Sequence, residues 1–125
     1  MPVLITIATV NALFRLGTDE KVSFLNPDAL HARCSDAIED TETRERAVIL
    51  AEQLQQLARR YEQAVAASVD AYIEKSAEWD SSANDLIERL QPWDDARMQT
   101  VQEIIRVRQS MRELLTTEQW NRVFQ

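Results

Sequence analysis

"DTETRERAVILAEQLQQLARRYEQAVAASVDAYIEKSAEW", residues 40 to 79, is the stretch that decides the fold. Apolar and small side chains recur in it with the period of an α-helix. Ala47, Leu50, Ala51, Leu54, Leu57, Ala58, Tyr61, Ala64, Val65, Ser68 and Tyr72 fall on one stripe. Asp40 or Thr41 can cap the start by accepting from first-turn N–H groups. A helix of nearly forty residues would run about 60 Å at 1.5 Å per residue, too long for a compact globule of this chain length. The reading is therefore an elongated hairpin, with a second long helix laid antiparallel on this one.

Toward the C-terminus, Pro92 in "RLQPWDDARM" is expected to supply the bend. Proline disfavours helix at the residue before it and has no N–H to give to the preceding turn. The returning helix then restarts at Trp93 to Asp95 and carries the stripe Met98, Val101, Ile104, Ile105, Arg108, Met111, Leu114 and Leu115. "SSANDLIERL", residues 81 to 90, reads either as a short separate helix or as an extension of the long one. Toward the N-terminus, Asn26 is an N-cap, Pro27 suits the first helical position and Asp28 complements the positive end of the dipole. A first helix is therefore expected from Pro27 to about Glu39.

Composition bounds what such a hairpin can do. With 125 residues and 14.4 kDa the chain holds one domain at most, enough for a modest core or for a hairpin whose core a partner completes. One glycine and three prolines leave few tight turns, which again favours helix. A net charge of −7 and a pI near 4.7 argue against a nucleic-acid partner, which would need clustered Lys and Arg. Cys34 is the single cysteine, which excludes an internal disulfide and any CxxC motif, and fits a reducing or an oxidising compartment alike.

Residues 1–17 stand apart from the helical region 18–125. "PVLITIATVNALFRL" carries Arg15 as its only charge. Its apolar run of about fourteen residues is short of the roughly 20 that a membrane span needs, and it lacks the basic start and cleavage site of a signal peptide. It reads as the end of a membrane anchor, as a buried element of the domain, or as an interfacial or partner-binding segment. A strand there would have no second strand to pair with. Membrane attachment through residues 3–16 is the reading carried forward.

"LLTTEQWNRVFQ", residues 114 to 125, starts a fresh helix at the very end. Thr116 and Gln119 form a capping box: the Thr oxygen accepts from the Gln119 N–H and the Gln side chain reaches back to the Thr116 N–H. Leu115, Trp120, Val123 and Phe124 make the apolar side of that helix. They serve either as a cover over the open end of the hairpin or as a contact for a second protein, and we take the cover.

Leu115-Thr116-Thr117-Glu118-Gln119, preceded by the amphipathic "VQEIIRVRQSMREL", resembles the motif of the Spy/CpxP-like LTxxQ family of bacterial envelope-stress and metal-resistance proteins. A degenerate first copy is Leu25-Asn26-Pro27-Asp28-Ala29, which lacks the Gln. The resemblance covers roughly residues 25 to 124. It implies long bent helical hairpins that associate as antiparallel dimers, a periplasmic setting, and chaperone-like or metal-sensing activity without catalysis.

Two departures limit the transfer. Metal-binding members of that family use several His residues, and this chain has one; His31 and Cys34, three apart on a helix, are the low-ranking metal candidates. Chaperone members present a basic concave face, whereas this chain is acidic and would rely on apolar patches. Acid pairs such as Asp94-Asp95 and Glu39-Asp40 stand at helix starts, where dipole complementation accounts for them. No nucleophile, base and orienting group recur at usable spacing, so no enzyme and no cofactor are expected.

The resulting expectation is an all-α, elongated antiparallel helical hairpin with short flanking helices, completed by dimerisation. It acts by protein–protein contact as a non-enzymatic, chaperone-like envelope stress accessory. The contact faces are placed at Leu54, Leu57, Tyr61 and Val65 and at Trp120 and Phe124, with a protein partner or a second copy bound there. The location is periplasmic or inner-membrane-anchored facing the periplasm. The alternatives are a structural or adaptor subunit of a larger assembly, with a cytoplasmic location also open, and a periplasmic metal sensor.

Overall fold

The computed structural model describes residues 21–125. Every expectation about residues 1–17, the anchor included, lies outside the described residues. The chain folds as four helices and nothing else of regular structure among the described residues: α1 (Pro27–Ala37), α2 (Thr41–Ser76), α3 (Ala83–Leu114) and α4 (Thr117–Phe124). The two long helices pack along each other as the hairpin, α1 lies against α2, and α4 returns onto α1. The all-α hairpin read from the sequence is therefore present.

Each helix begins where a side chain can serve its orphan N–H groups. Asn26 Oδ1 accepts from the Ala29 N–H at 3.4 Å, with Pro27 at the first helical position. α1 stops at Ala37 because Ile38 turns extended and buries its side chain in the core. Asp40 then caps α2, its Oδ2 accepting from the Thr43 N–H at 2.9 Å. These bonds favour the ionised carboxylate, and the Asp40 carboxyl is held below the usual aspartate range, chiefly by the bonds to Thr43.

The bend differs from expectation. It lies at residues 77–82, and Pro92 sits inside α3. Ser82 caps α3 by a reciprocal box, its Oγ accepting from the Asp85 N–H at 3.1 Å while Asp85 Oδ2 accepts from the Ser82 N–H at 3.0 Å. "SSANDLIERL" is thus the first part of the returning helix rather than a separate piece. The turn closes without glycine: the Ala77 N–H donates to the Ile73 carbonyl, the Glu78 N–H to that of Lys75 and the Ser81 N–H to that of Glu78.

A proline in a helix interior costs about 3 kcal/mol, because it removes a hydrogen bond and crowds the carbonyl four residues back. Here the partner helix compensates one position along, rather than at the Glu88 carbonyl itself. The buried Ser68 hydroxyl of α2 accepts from the Trp93 N–H at 3.2 Å and donates to the Arg89 carbonyl at 2.8 Å. Those two groups are the pair an uninterrupted helix would join directly. A side chain from α2 therefore joins the two turns of α3 that flank Pro92, and it also fixes the register of the hairpin.

The core is a single seam. Ala47, Ala51, Leu54, Leu57, Tyr61, Val65 and Val69 from α2 meet Thr100, Ile104, Val107 and Met111 from α3. Leu30, Cys34 and Ile38 close it on one side, and Leu115 and Val123 at the end. The α2 stripe matches expectation. The α3 stripe is rotated: Met98 and Ile105, expected in the seam, are exposed, and so is Arg108, while Thr100 and Val107 take their places.

Candidate functional site

The faces expected to bind a partner divide into two groups. Leu54 and Val65 are fully buried and Leu57 and Tyr61 nearly so, all of them inside the chain's own α2–α3 seam. That corrects the assignment of these four to an open assembly face: a stripe this apolar is satisfied by α3. Tyr61 is further fixed by its hydroxyl, which accepts from Trp93 Nε1 at 3.1 Å. Only the edges of Leu57 and Tyr61 reach a groove of about 460 Å³ between the two long helices, beside Arg60 and Glu103.

The second group, at the base of the hairpin, keeps accessible surface. α3 ends at Leu114, and Leu115 turns extended while its side chain stays buried. The turn that follows is the capping box read from the sequence: Thr116 Oγ1 accepts from the Gln119 N–H at 3.1 Å, and Gln119 Oε1 accepts from the Thr116 N–H at 2.9 Å. This geometry aims α4 back over α1. Val123 is fully buried beneath it, and the Arg33 guanidinium donates to the Arg122 carbonyl at 3.1 Å, tying the two helices together.

Trp120 and Phe124 are half-buried and form a three-ring cluster with Phe24 from the segment before α1. Ring centroids lie 4.6 Å apart for Trp120–Phe124, 5.1 Å for Phe24–Phe124 and 5.9 Å for Phe24–Trp120, all tilted. The cover reading thus describes Val123 well and the two aromatics in part. Phe24, a ring that the periodicity of the helices gave no reason to single out, is what the cover closes on.

Beside this cluster lies a cavity of about 440 Å³ lined by Arg108, Arg112, Leu115, Thr116, Thr117 and Trp120. The Arg108 guanidinium sits over the Trp120 ring, 5.4 Å from its centroid. Among the described residues neither Arg108 nor Arg112 joins an ion pair, whereas Arg122 reaches Glu118 at 2.7 Å and Glu39 at 3.9 Å. In a chain of net charge −7, one guanidinium over an indole and a second lining the same cavity, neither in an ion pair among the described residues, make this a local site for an anionic group joined to an apolar one.

His31 and Cys34 face different surroundings. His31 Nε2 lies 3.4 Å from Glu52 Oε1 at the surface, while the Cys34 thiol is fully buried and its pKa is pushed up to about 11 by desolvation. A metal-ligating thiolate at that position would need a large part of the core to open. No group of three or more His, Cys, Asp or Glu side chains is arranged to hold a metal ion among the described residues. No helix among the described residues is long and apolar enough to cross a membrane.

Comparison with protein-family models, with curated proteins and with solved structures returns no match.

Proposed function

We propose that this protein is a non-enzymatic contact protein of the LTxxQ type, holding a client or partner protein at the base of its hairpin in the bacterial envelope. The observation that carries the reading is the turn built by Leu115, Thr116 and Gln119. Its reciprocal cap positions α4 so that Trp120 and Phe124 remain half-exposed beside Arg108 and Arg112. The degenerate first copy supports it as well, because the Asn26 side chain caps α1 by accepting from the N–H three residues on, without the reciprocal bond, and α1 is the helix on which α4 lies. Attachment to the inner membrane through residues 3–16 belongs to the same reading.

Half-buried, rigid aromatic rings are suited to holding apolar segments of another chain, since little side-chain entropy is lost on contact. The test is suppression of aggregation of a thermally unfolded client by the full chain, compared with Trp120→Ala and Arg108→Ala. The reading predicts suppression by the parent and its loss in the variants at unchanged helicity. Equal behaviour of all three chains, or no suppression by any, contradicts it.

A further inference from the structure

We infer that the base cavity takes the C-terminal end of the client or partner chain, an inference that rests on the contact function proposed above and names the part of the client that is held. The free α-carboxylate of the client sits on the Arg108 and Arg112 guanidinium groups, and its last side chain, a large apolar one, lies against Trp120.

The cavity is a corner. Its lining runs from Arg108 and Arg112 in the last turns of α3, through Leu115, Thr116 and Thr117 in the turn, to Trp120 in α4. α3 and α4 leave that turn in different directions, because α4 goes back onto α1 while α3 runs along α2. The volume of about 440 Å³ is therefore closed at the turn, where Leu115 is buried, and open away from it. Such a corner admits the end of a chain, whereas a segment that continues in both directions would have to leave through the turn.

Its charge calls for a carboxylate from outside. Arg108 and Arg112 stand one helical turn apart on the same face of α3, about 6 Å along the axis. Like charges so placed repel, and one carboxylate between them satisfies both. The chain's own carboxylates around this end are engaged elsewhere. Glu103 pairs with Arg106 at 2.6 Å, and Glu113 accepts from Gln109 Nε2 at 3.5 Å. Glu118 pairs with Arg122 at 2.7 Å, and Arg122 also reaches Glu39 at 3.9 Å. The hydroxyls of Thr116 and Thr117, which line the same corner, can each donate to an oxygen.

The spacing of charge and ring distinguishes a chain end from an internal acidic residue. The Arg108 guanidinium carbon is 5.4 Å from the Trp120 ring centroid, so the anionic and apolar parts of the ligand must be immediate neighbours. In a C-terminal residue the carboxylate and the side chain hang from one Cα. In an extended internal segment, adjacent side chains point to opposite faces and those on one face are about 7 Å apart. The terminal carboxylate therefore fits the corner better than aspartate or glutamate within a chain.

The test is fluorescence anisotropy of a short labelled peptide ending in leucine and phenylalanine, titrated with the full chain. Three forms are compared: the free acid, the C-terminal amide, and an amide that carries an internal aspartate beside the apolar pair. The free acid is expected to bind about tenfold or more tightly than either amide, and Arg108→Gln and Arg112→Gln are each expected to erase most of that preference. Both arginines are exposed, so their exchange leaves the core untouched, and circular dichroism checks this. Equal binding of acid and amide overturns the inference. So does an internal aspartate that replaces the free terminus, a preference that survives both substitutions, or a free acid that does not bind. The contact function and this inference can fail separately. Suppression of client aggregation that is lost in Arg108→Ala, with acid and amide bound alike, leaves the function standing and removes the inference. Acid-selective binding without suppression does the reverse.

Discussion

The two ends of this hairpin are made from the same two helices and differ in what covers them. At the base, α1 and α4 add a second layer, so Leu30, Cys34, Ala47, Ala51, Leu54, Met111 and Val123 lose all contact with water. At the tip, among the described residues, α2 and α3 stand alone. Beyond Val69 no side chain of α2 is buried, and Ile73, Trp79 and Ile87 face solvent. A helix pair can enclose only one seam; a third and a fourth helix turn that seam into a core. The base is accordingly the part that holds the molecule together. The tip is held by local devices, the Lys75–Glu78 pair and the Ser82–Asp85 box, whose individual contributions are small.

The sharpest way to break this contrast is to remove equal volume from each end. Leu54→Ala and Met111→Ala should destabilise by about 2–5 kcal/mol, the cost of a cavity in a closed core, while Ile87→Ala stays within about 0.5 kcal/mol. Chemical denaturation midpoints check this, and similar losses at both ends would remove the distinction. At the rim of the base, Trp120→Ala is expected to cost about 2 kcal/mol. That ring gives up partial burial and its tilted contacts with Phe24 and Phe124 rather than a fully enclosed site. No midpoint shift would mean that α4 does not cover the hairpin.

Midway between the ends, Ser68→Ala should cost about 1–3 kcal/mol by removing the bonds its hydroxyl makes to the Trp93 N–H and the Arg89 carbonyl. Combining it with Pro92→Ala should recover most of that loss, since an intact ladder no longer needs the bridge. A double variant as unstable as the single one would refute the repair.

How much of this was legible in the sequence follows from how many faces each helix uses. α2 carries one apolar stripe, and its seam residues, its Asp40 cap and its length could be read directly. α3 carries two stripes, and periodicity merges them: Met98 and Ile105 were assigned to the seam, whereas the inward positions include Thr100, whose polarity disguises it. Pro92 misled for a different reason. Its local preference for a bend is overridden by a serine 24 residues earlier on another helix, a tertiary effect that no window on the sequence contains. The true turn was signalled by Ser82 and Asp85 at capping-box spacing. At the base, the Thr116–Gln119 box and the apolar face of α4 were legible, but Phe24 lies in no periodic pattern and was found only through its contacts.

The smallest expected effects are at the caps. Thr116→Ala should remove about 1 kcal/mol from the base. The Asp85 carboxyl at the tip and the Asp40 carboxyl at the base are both held below the usual aspartate range, the first chiefly by its bonds to Ser82 and the second by those to Thr43. A lowered folded-state pKa stabilises in full above the unfolded value and is lost as pH falls through the folded one. Stability should therefore decline below about pH 4, and Asp85→Asn should flatten the slope without altering stability's dependence on pH near neutrality. An unchanged acid limb in Asp85→Asn would exclude the tip cap as a contributor.

The most direct test is residue-resolved native-state hydrogen exchange along α2, a single helix that runs from the covered base to the uncovered tip. Amides of residues 47–61 should exchange only through global unfolding, with a denaturant dependence matching the equilibrium transition, while those of residues 70–76 should exchange through local opening at a far lower free energy. Uniform protection from Ala47 to Ser76 would contradict the account, because it would mean that the tip is as firmly held as the base without the layer that α1 and α4 supply.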